Sequence, residues 1–199
     1  MDKQLSYKWD KVYQSDASSP GEPVAVLSDN LFLLPQKGTA LDLASGLGAN
    51  ALILAKQGLT TQAWDISAIA LGRLQQQADA HALPINTFTR EITPDSFASC
   101  CFDVVVVSRF LDRSICNAIM ESLKPNGLLF YQTYTQDKTS GLGPKNPRFL
   151  LAENELLQLF SPLKRVYYRE NSGLGIIQQG LRNEAQFIGQ KRLVNSLSK

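Results

Sequence analysis

The ten residues from Leu41 to Asn50 carry the chemistry of this chain. An apolar strand containing Asp42 runs into Gly46 and Gly48 and continues into a helical stretch, Ala49–Ala55. Glycines at such a place let the backbone pass close beneath a ligand. The free N–H groups of the helix start suit an anionic group on that ligand. About nineteen residues beyond Gly46, Ala63-Trp64-Asp65 reads as a second strand ending in a carboxylate, the spacing at which a nucleotide-binding fold offers an acid to a ribose. The pattern predicts a site for an adenosine-containing cofactor. Gly46-x-Gly48-x-x-Ala51 also satisfies the dinucleotide fingerprint, so the glycines alone do not choose the cofactor.

The elements around this loop follow a strand–helix grammar. A lead-in places Trp9 and Tyr13 four apart, on one helical face, and Ser18–Pro23 breaks that helix. A helical stretch over Val24–Leu34 precedes the strand Ala40–Leu43. Gly58 stops the first core helix, Thr60–Trp64 is the next strand, and Ser67 is positioned to cap a helix over Ala68–Ala82. Ala70, Leu71, Leu74 and Ala78 form its apolar stripe. Ile85–Arg90 reads as strand three. Phe102–Val107 is an unbroken apolar run typical of a parallel strand buried on both faces. A helix over Ser114–Leu123, a turn at Lys124–Gly127 and a strand over Leu128–Tyr134 follow. Such alternation predicts a parallel sheet with helices on both faces. The Gly- and Pro-rich stretch Thr135–Pro147 is expected to be a long mobile loop. A short helix near Glu153–Phe160 and strands at Arg165–Arg169, Ile176–Gln179 and Ala185–Gln190 give the sheet an antiparallel finish.

Composition sets broad limits. The 199 residues suffice for one α/β domain with a sizeable core. An apolar fraction of 44%, a charged fraction of 19% and a net charge of +2 are ordinary for a soluble protein and give no strong pull towards nucleic acid or an anionic membrane, which leaves room for a small local basic patch. The N-terminal residues form no apolar run of the secretory kind, and no segment approaches the ~20 apolar residues that span a bilayer. A cytoplasmic location is therefore expected. Three cysteines and the single His81 offer neither a disulfide framework nor a metal site; the thiols are expected to be reduced and partly buried.

Taken together, the chain resembles the class I S-adenosylmethionine-dependent methyltransferases over residues 40 to 190. Leu41–Asn50, Ala63–Ser67, Phe102–Val107 and Leu123–Gly127 look like that family's successive motifs, in order. Asp42 before the loop, Glu91 after strand three and the antiparallel finish tilt the choice away from a nicotinamide enzyme. Within the family, Ala49–Ala55 with Gly58, before Trp64-Asp65-Ile66-Ser67, looks most like the small bacterial tellurite-resistance-type domains. The sequence departs from the family in three places. Ser45 stands in the loop, Glu91 replaces a more usual Asp, and Asn126-Gly127 replaces a Gly-Gly turn.

The resemblance implies a Rossmann-like, mostly parallel seven-stranded sheet with helices on both faces and an antiparallel C-terminal hairpin. It implies one domain with a helical lead-in or lid (1–38), a cofactor-binding core (39–134) and a substrate loop with antiparallel strands (135–199). The cofactor would be S-adenosyl-L-methionine, held by Asp42, Ala44, Ser45, Gly46, Gly48, Asn50, Asp65, Ile66, Glu91, Ile92, Ser108 and Arg109. Asp65 would accept from the ribose diol, Ile66 would pack on adenine, and Glu91 would meet the adenine amine. Asp65 also has a plainer role as a helix cap, Asp42 as a brace for the loop, and Glu91 as a solvated acid. Tyr13, Lys145 and Arg148 are candidates for the acceptor side, although Trp9 and Tyr13 also read as core aromatics, and the two cations as solvated loop charges.

No catalytic residue stands out; Tyr13, Tyr134 and Glu91 are the candidates for a base. A sulfonium is already activated, so alignment and exclusion of water are the protein's main tasks, and a soft nucleophile such as a thiolate needs little help. The expected partner is a small-molecule acceptor, with no metal and no membrane, in a monomer or homodimer. RNA or protein methylation and a cofactor-binding protein without turnover are the alternatives. The near-neutral charge counts against nucleic acid.

Overall fold

The computed structural model describes residues 2–15 and 20–193. Four successive valines, Val104–Val107, mark the middle of the sheet, each fully buried. They belong to β4 (Phe102–Ser108), which lies between β1 (Gly38–Leu43) and β5 (Leu123–Tyr134). Outside β1 stand β2 (Leu59–Asp65) and β3 (Ile85–Thr89); outside β5 stand β7 (Glu184–Gln190) and then β6 (Lys164–Glu170). The order is β3-β2-β1-β4-β5-β7-β6. The first five strands are parallel, and β7 runs antiparallel to both neighbours. The expected Rossmann-like sheet with its antiparallel finish is present.

Alternate residues of the central strands feed two cores, as the pleat requires. Val105, Val107, Leu129 and Tyr131 pack with α5 (Cys116–Ser122) and α6 (Glu155–Leu159), through Ile119 and Leu156. Val104, Val106, Leu128 and Phe130 pack on the other side with α2 (Ala25–Ser28) and α3 (Ala49–Lys56), through Val26, Leu27 and Leu54. The helix α4 (Ala68–Ala80) buries Ala70, Leu71, Leu74 and Ala78, the stripe legible in the sequence. Its Ser67 side chain caps it by accepting from the Ala70 N–H at 3.2 Å.

Several boundaries differ from the sequence expectation. Ile176–Gln179 is not a strand, because β6 and β7 pair directly with each other and leave no edge between them. Ile176 and Ile177 are exposed on the connection instead. The stretch over Val24–Leu34 divides into α2 and a 3-10 turn at Leu31–Leu33. The Ser114–Leu123 helix begins as a 3-10 turn at Arg113–Ile115 and is α-helical only from Cys116 to Ser122. The turn at Lys124–Gly127 sits within β5 as a register break: Phe102 pairs with Leu123 and Val104 with Leu128, and Asn126 takes a left-handed φ of 66°. Part of the Ser18–Pro23 breaker falls outside the described residues.

The Thr135–Pro147 segment is tethered. Lys138 Nζ donates to the Leu142 and Pro144 carbonyls, and Asn183 Oδ1 accepts from the backbone N–H groups of Thr139 and Ser140. Beyond it, Arg113 holds the chain by donating to Glu155 and to the Arg148 and Leu150 carbonyls.

Among the described residues no helix is long and apolar enough to cross a membrane, and no group of three or more His, Cys, Asp or Glu side chains is placed to hold a metal. The thiols are free, with Cys116 buried, Cys101 half-buried and Cys100 exposed rather than partly buried.

Candidate functional site

From β1 the chain steps outward to β2 and β3, then returns to place β4 and β5 on the other side. That reversal makes the carboxyl end of β1 and β4 the switch point at which open α/β sheets bind ligands. The loop that leaves β1 there is bent by three positive φ values, Ala44 at 53°, Gly46 at 52° and Gly48 at 81°. Glycine meets this demand without strain; Ala44 does not. The loop is anchored by Ser45, whose N–H donates to the Trp64 carbonyl and whose carbonyl accepts from the Gly48 N–H. A Cβ on Gly48 would run into Leu74, so this glycine also lets α3 and α4 approach.

Asp65 ends β2, and each of its carboxylate oxygens has a backbone partner. Oδ2 accepts from Gly46 N–H and Oδ1 from Ser67 N–H, both at 2.8 Å. Burial raises its pKa, against the pull of those N–H donors. Asp42 is fully buried and accepts from the Asn50 side chain at 3.3 Å and the Ala51 N–H at 3.0 Å. It therefore braces the first turn of α3 from outside the helix. Burial pushes its carboxyl up to about 7, opposed by Asn50 and Ala51 and assisted by Asp65.

Asn50 joins three segments. Its Oδ1 accepts from Val24 N–H at 2.9 Å, and its Nδ2 donates to Asp42 and to Ser108 Oγ at 3.0 Å. Asn50 and Ser108, both expected around the cofactor, are therefore engaged with the protein and with each other.

The helix α1 (Lys3–Ser15) lies across this end of the sheet. Asp2 caps it, accepting from the Gln4 and Leu5 N–H groups. Its apolar residues Leu5, Trp9 and Val12 stay exposed, so no core holds it in place. Its inner face is the stripe Ser6, Asp10 and Tyr13, at i, i+4 and i+7. Ser6 donates to the Ile66 carbonyl at 3.3 Å. Asp10 accepts from Ser67 Oγ at 2.6 Å. The Tyr13 hydroxyl lies 2.6 Å from where a Cβ on Gly46 would stand. Desolvation pushes this phenol up to about 12, with Asp65 and Asp42 adding to the shift. Asp2 N–H also reaches Glu91 Oε2 at 2.9 Å. Trp9 stacks on Tyr13 with ring centroids 6.0 Å apart but is not a core aromatic. The polar stripe was present in the sequence at helical spacing, beside the aromatic pair that draws the eye.

Ile66 and Ile92 are half-buried near the same edge, Ile92 against the core on the α5 side. Lys145 and Arg148 are exposed, and their side chains make no hydrogen bond or ion pair with the described residues. A cavity of about 370 Å³ lies in the β6–β7 connection, lined by Asn171, Leu174, Ile176 and Arg182, away from the glycine loop.

The structure adds a buried polar network that the sequence reading missed. Gln132 Oε1 accepts from Val26 N–H and from Gln186 Nε2, both at 2.9 Å, and its Nε2 donates to Glu184. Tyr167 donates to Gln186 at 3.0 Å. Arg109 Nε donates to Glu184 Oε1 at 2.9 Å. Because β7 runs antiparallel, its first residue, Glu184, lies at the carboxyl end of the parallel strands, opposite Tyr134. Its sequence signal was the interruption of apolar strands by Gln132, Glu184 and Gln186, the last two on one face.

An adenosyl sulfonium cofactor is consistent with these residues. Among the described residues, Ser45 Oγ is the buried side-chain oxygen without a hydrogen-bond partner, and it sits in the glycine loop beside the cradle at Gly46. The architecture is the Rossmann-like methyltransferase fold, with the glycine loop and Asp65 at its switch point. Residues 40–127 match the profile of the methyltransferase-domain family.

Solved structures with this fold include TehB from Haemophilus influenzae, at 21% identity and a TM-score of 0.71, covering 92% of this chain and 67% of that one. A protein described in the conversion of a disulfide bond into a thioacetal group during echinomycin biosynthesis is 19% identical, with a TM-score of 0.70 and coverage of 96% and 94%. Geranyl diphosphate C-methyltransferase from Streptomyces coelicolor A3(2), solved with Mg2+, geranyl diphosphate and S-adenosyl-L-homocysteine, is 14% identical, with a TM-score of 0.65 and coverage of 84% and 77%. No curated protein matches the sequence significantly.

Proposed function

We propose that this chain binds S-adenosyl-L-methionine at the β1–β4 switch point and transfers its methyl group to a small-molecule acceptor with a soft or anionic nucleophile. The observation that carries the reading is the unpartnered, buried Ser45 hydroxyl beside Gly46, whose missing side chain makes room for the Tyr13 hydroxyl of α1. Ala44–Gly48 would lie along the methionine half and Asp65 would take the ribose diol, exchanging its present amide contacts for charge-assisted bonds. Ile66, Glu91 and Ile92 would enclose the adenine, while Asp42, Asn50 and Ser108 keep the loop in shape. The cofactor supplies an activated methyl group; the protein aligns the acceptor and excludes water.

In this scheme residues 1–38 form a lid, 39–134 the cofactor core and 135–199 the acceptor side. Tyr13 closes the site from α1, and Lys145 and Arg148 meet an anionic acceptor. Sulfur chemistry in the echinomycin relative agrees with a soft nucleophile. The near-neutral charge favours a small acceptor over RNA.

Isothermal calorimetry with S-adenosylmethionine, S-adenosylhomocysteine and NAD tests the cofactor. Micromolar binding of the two sulfur ligands without NAD heat is expected; a preference for NAD would overturn it. Tight binding without transfer to any acceptor would instead indicate a cofactor-binding protein. Unchanged turnover in a Lys145→Ala/Arg148→Ala variant would remove those two residues from the acceptor site.

A further inference from the structure

We infer that Arg109, positioned by Glu184, is an anchor for a carboxylate group on the methyl acceptor. This rests on the methyltransfer reading above and names the acceptor class for the same site.

Arg109 is the first residue beyond β4, and its backbone is left-handed, with φ of 51°. A non-glycine residue held there is the kind of local strain found where a side chain must be aimed. Its N–H donates to the Gln132 carbonyl at 2.8 Å, which fixes the turn to β5. The preceding residue, Ser108, accepts from Asn50, and Asn50 belongs to the first turn of the helix leaving the glycine loop. One hydrogen bond and one peptide unit thus connect the cofactor loop to Arg109.

The guanidinium is held at one corner. Glu184 is 6% exposed, and its two oxygens are divided: Oε1 accepts from Arg109 Nε, while Oε2 accepts from Gln132. Gln132 therefore prevents Glu184 from taking Arg109 in a two-point grip. Neither Nη atom has a hydrogen-bond partner among the described residues, and the Arg109 side chain is 58% exposed. The result is a planar fork, fixed at its base, whose outer edge offers two parallel donors. Carboxylates match that edge geometrically. Glu184 already offsets part of the charge, so a monoanion suits the site better than a phosphate dianion.

The test uses the full chain saturated with S-adenosylhomocysteine. It is titrated calorimetrically with matched pairs, mercaptoacetate with mercaptoacetamide and benzoate with benzamide, and separately with inorganic phosphate. Acids should bind more tightly than their amides and than phosphate. Arg109→Gln should weaken the acids by about 10- to 100-fold, the scale of a charged hydrogen bond, and leave the amides unchanged. Arg109→Lys should recover part of the loss, since it keeps the charge but not the fork. The thermal melting temperature serves as the folding control in each variant. No acid binding, equal affinity for acids and amides, tighter binding of phosphate, or an acid preference that survives Arg109→Gln would overturn the inference. Failure of S-adenosylhomocysteine to bind the unaltered chain would overturn the cofactor reading instead.

Discussion

The hydroxyl of Tyr13 stands 2.6 Å from the position a Cβ would occupy on Gly46, so α1 and the glycine loop meet where residue 46 has no side chain. Gly46→Ala would suffer twice, from its φ of 52° and from this contact. The backbone cost alone is about 1–2 kcal/mol. Gly46→Ala should lower the melting temperature and weaken S-adenosylmethionine binding. Adding Tyr13→Phe removes the nearest atom and should restore part of the loss. A double-mutant cycle with no coupling would show that the contact is unimportant.

Asp65 links the loop to the start of α4 through Gly46 and Ser67. Asp65→Ala removes both acceptors and the charge that the ribose diol would meet. Cofactor affinity should drop by about 10- to 100-fold, the scale of a charge-assisted hydrogen bond. Unaltered affinity in calorimetry would leave Asp65 as a helix-capping residue only.

Asp42 makes stability depend on pH in an uncommon direction for a carboxylate. Its pKa is raised from 3.8 to about 7 by burial, so between those values the folded chain keeps a proton that the unfolded chain has released. Stability from this group is present below the ordinary carboxylate range and is lost as pH rises towards 7, by at most about 1.4 kcal/mol per pH unit. Asp42→Asn should gain stability relative to the unaltered chain between pH 4 and pH 8. Denaturant melts of the two proteins at both pH values would reveal a parallel response if Asp42 is not responsible.

Gln132 satisfies the Val26 N–H, Gln186 and Glu184 at once. Gln132→Leu is close in size but leaves those groups without their partner inside the fold, each at about 1–3 kcal/mol. A loss of several kcal/mol is expected in denaturant unfolding. A loss below about 1 kcal/mol would mean that water or a rearranged Gln186 takes over.

The sequence by itself determined the strand–helix succession, because apolar periodicity and turn residues act locally. The buried valine run, the α4 stripe with its Ser67 cap and the glycine loop followed by Asp65 were all legible. Tertiary structure decided what depends on distant partners. Direct pairing of β6 with β7 left Ile176–Gln179 on the connection between them rather than in the sheet. The insertion of β7 between β5 and β6 brought Glu184 to Arg109, 75 residues away in the chain, and closed the Gln132 network. Likewise, folding α1 back turned Ser6, Asp10 and Tyr13 towards the site, rather than sending Trp9 into a core. A side chain's own type sets which bonds it can make; only the long-range pairing of strands and the seating of the first helix set which groups it meets.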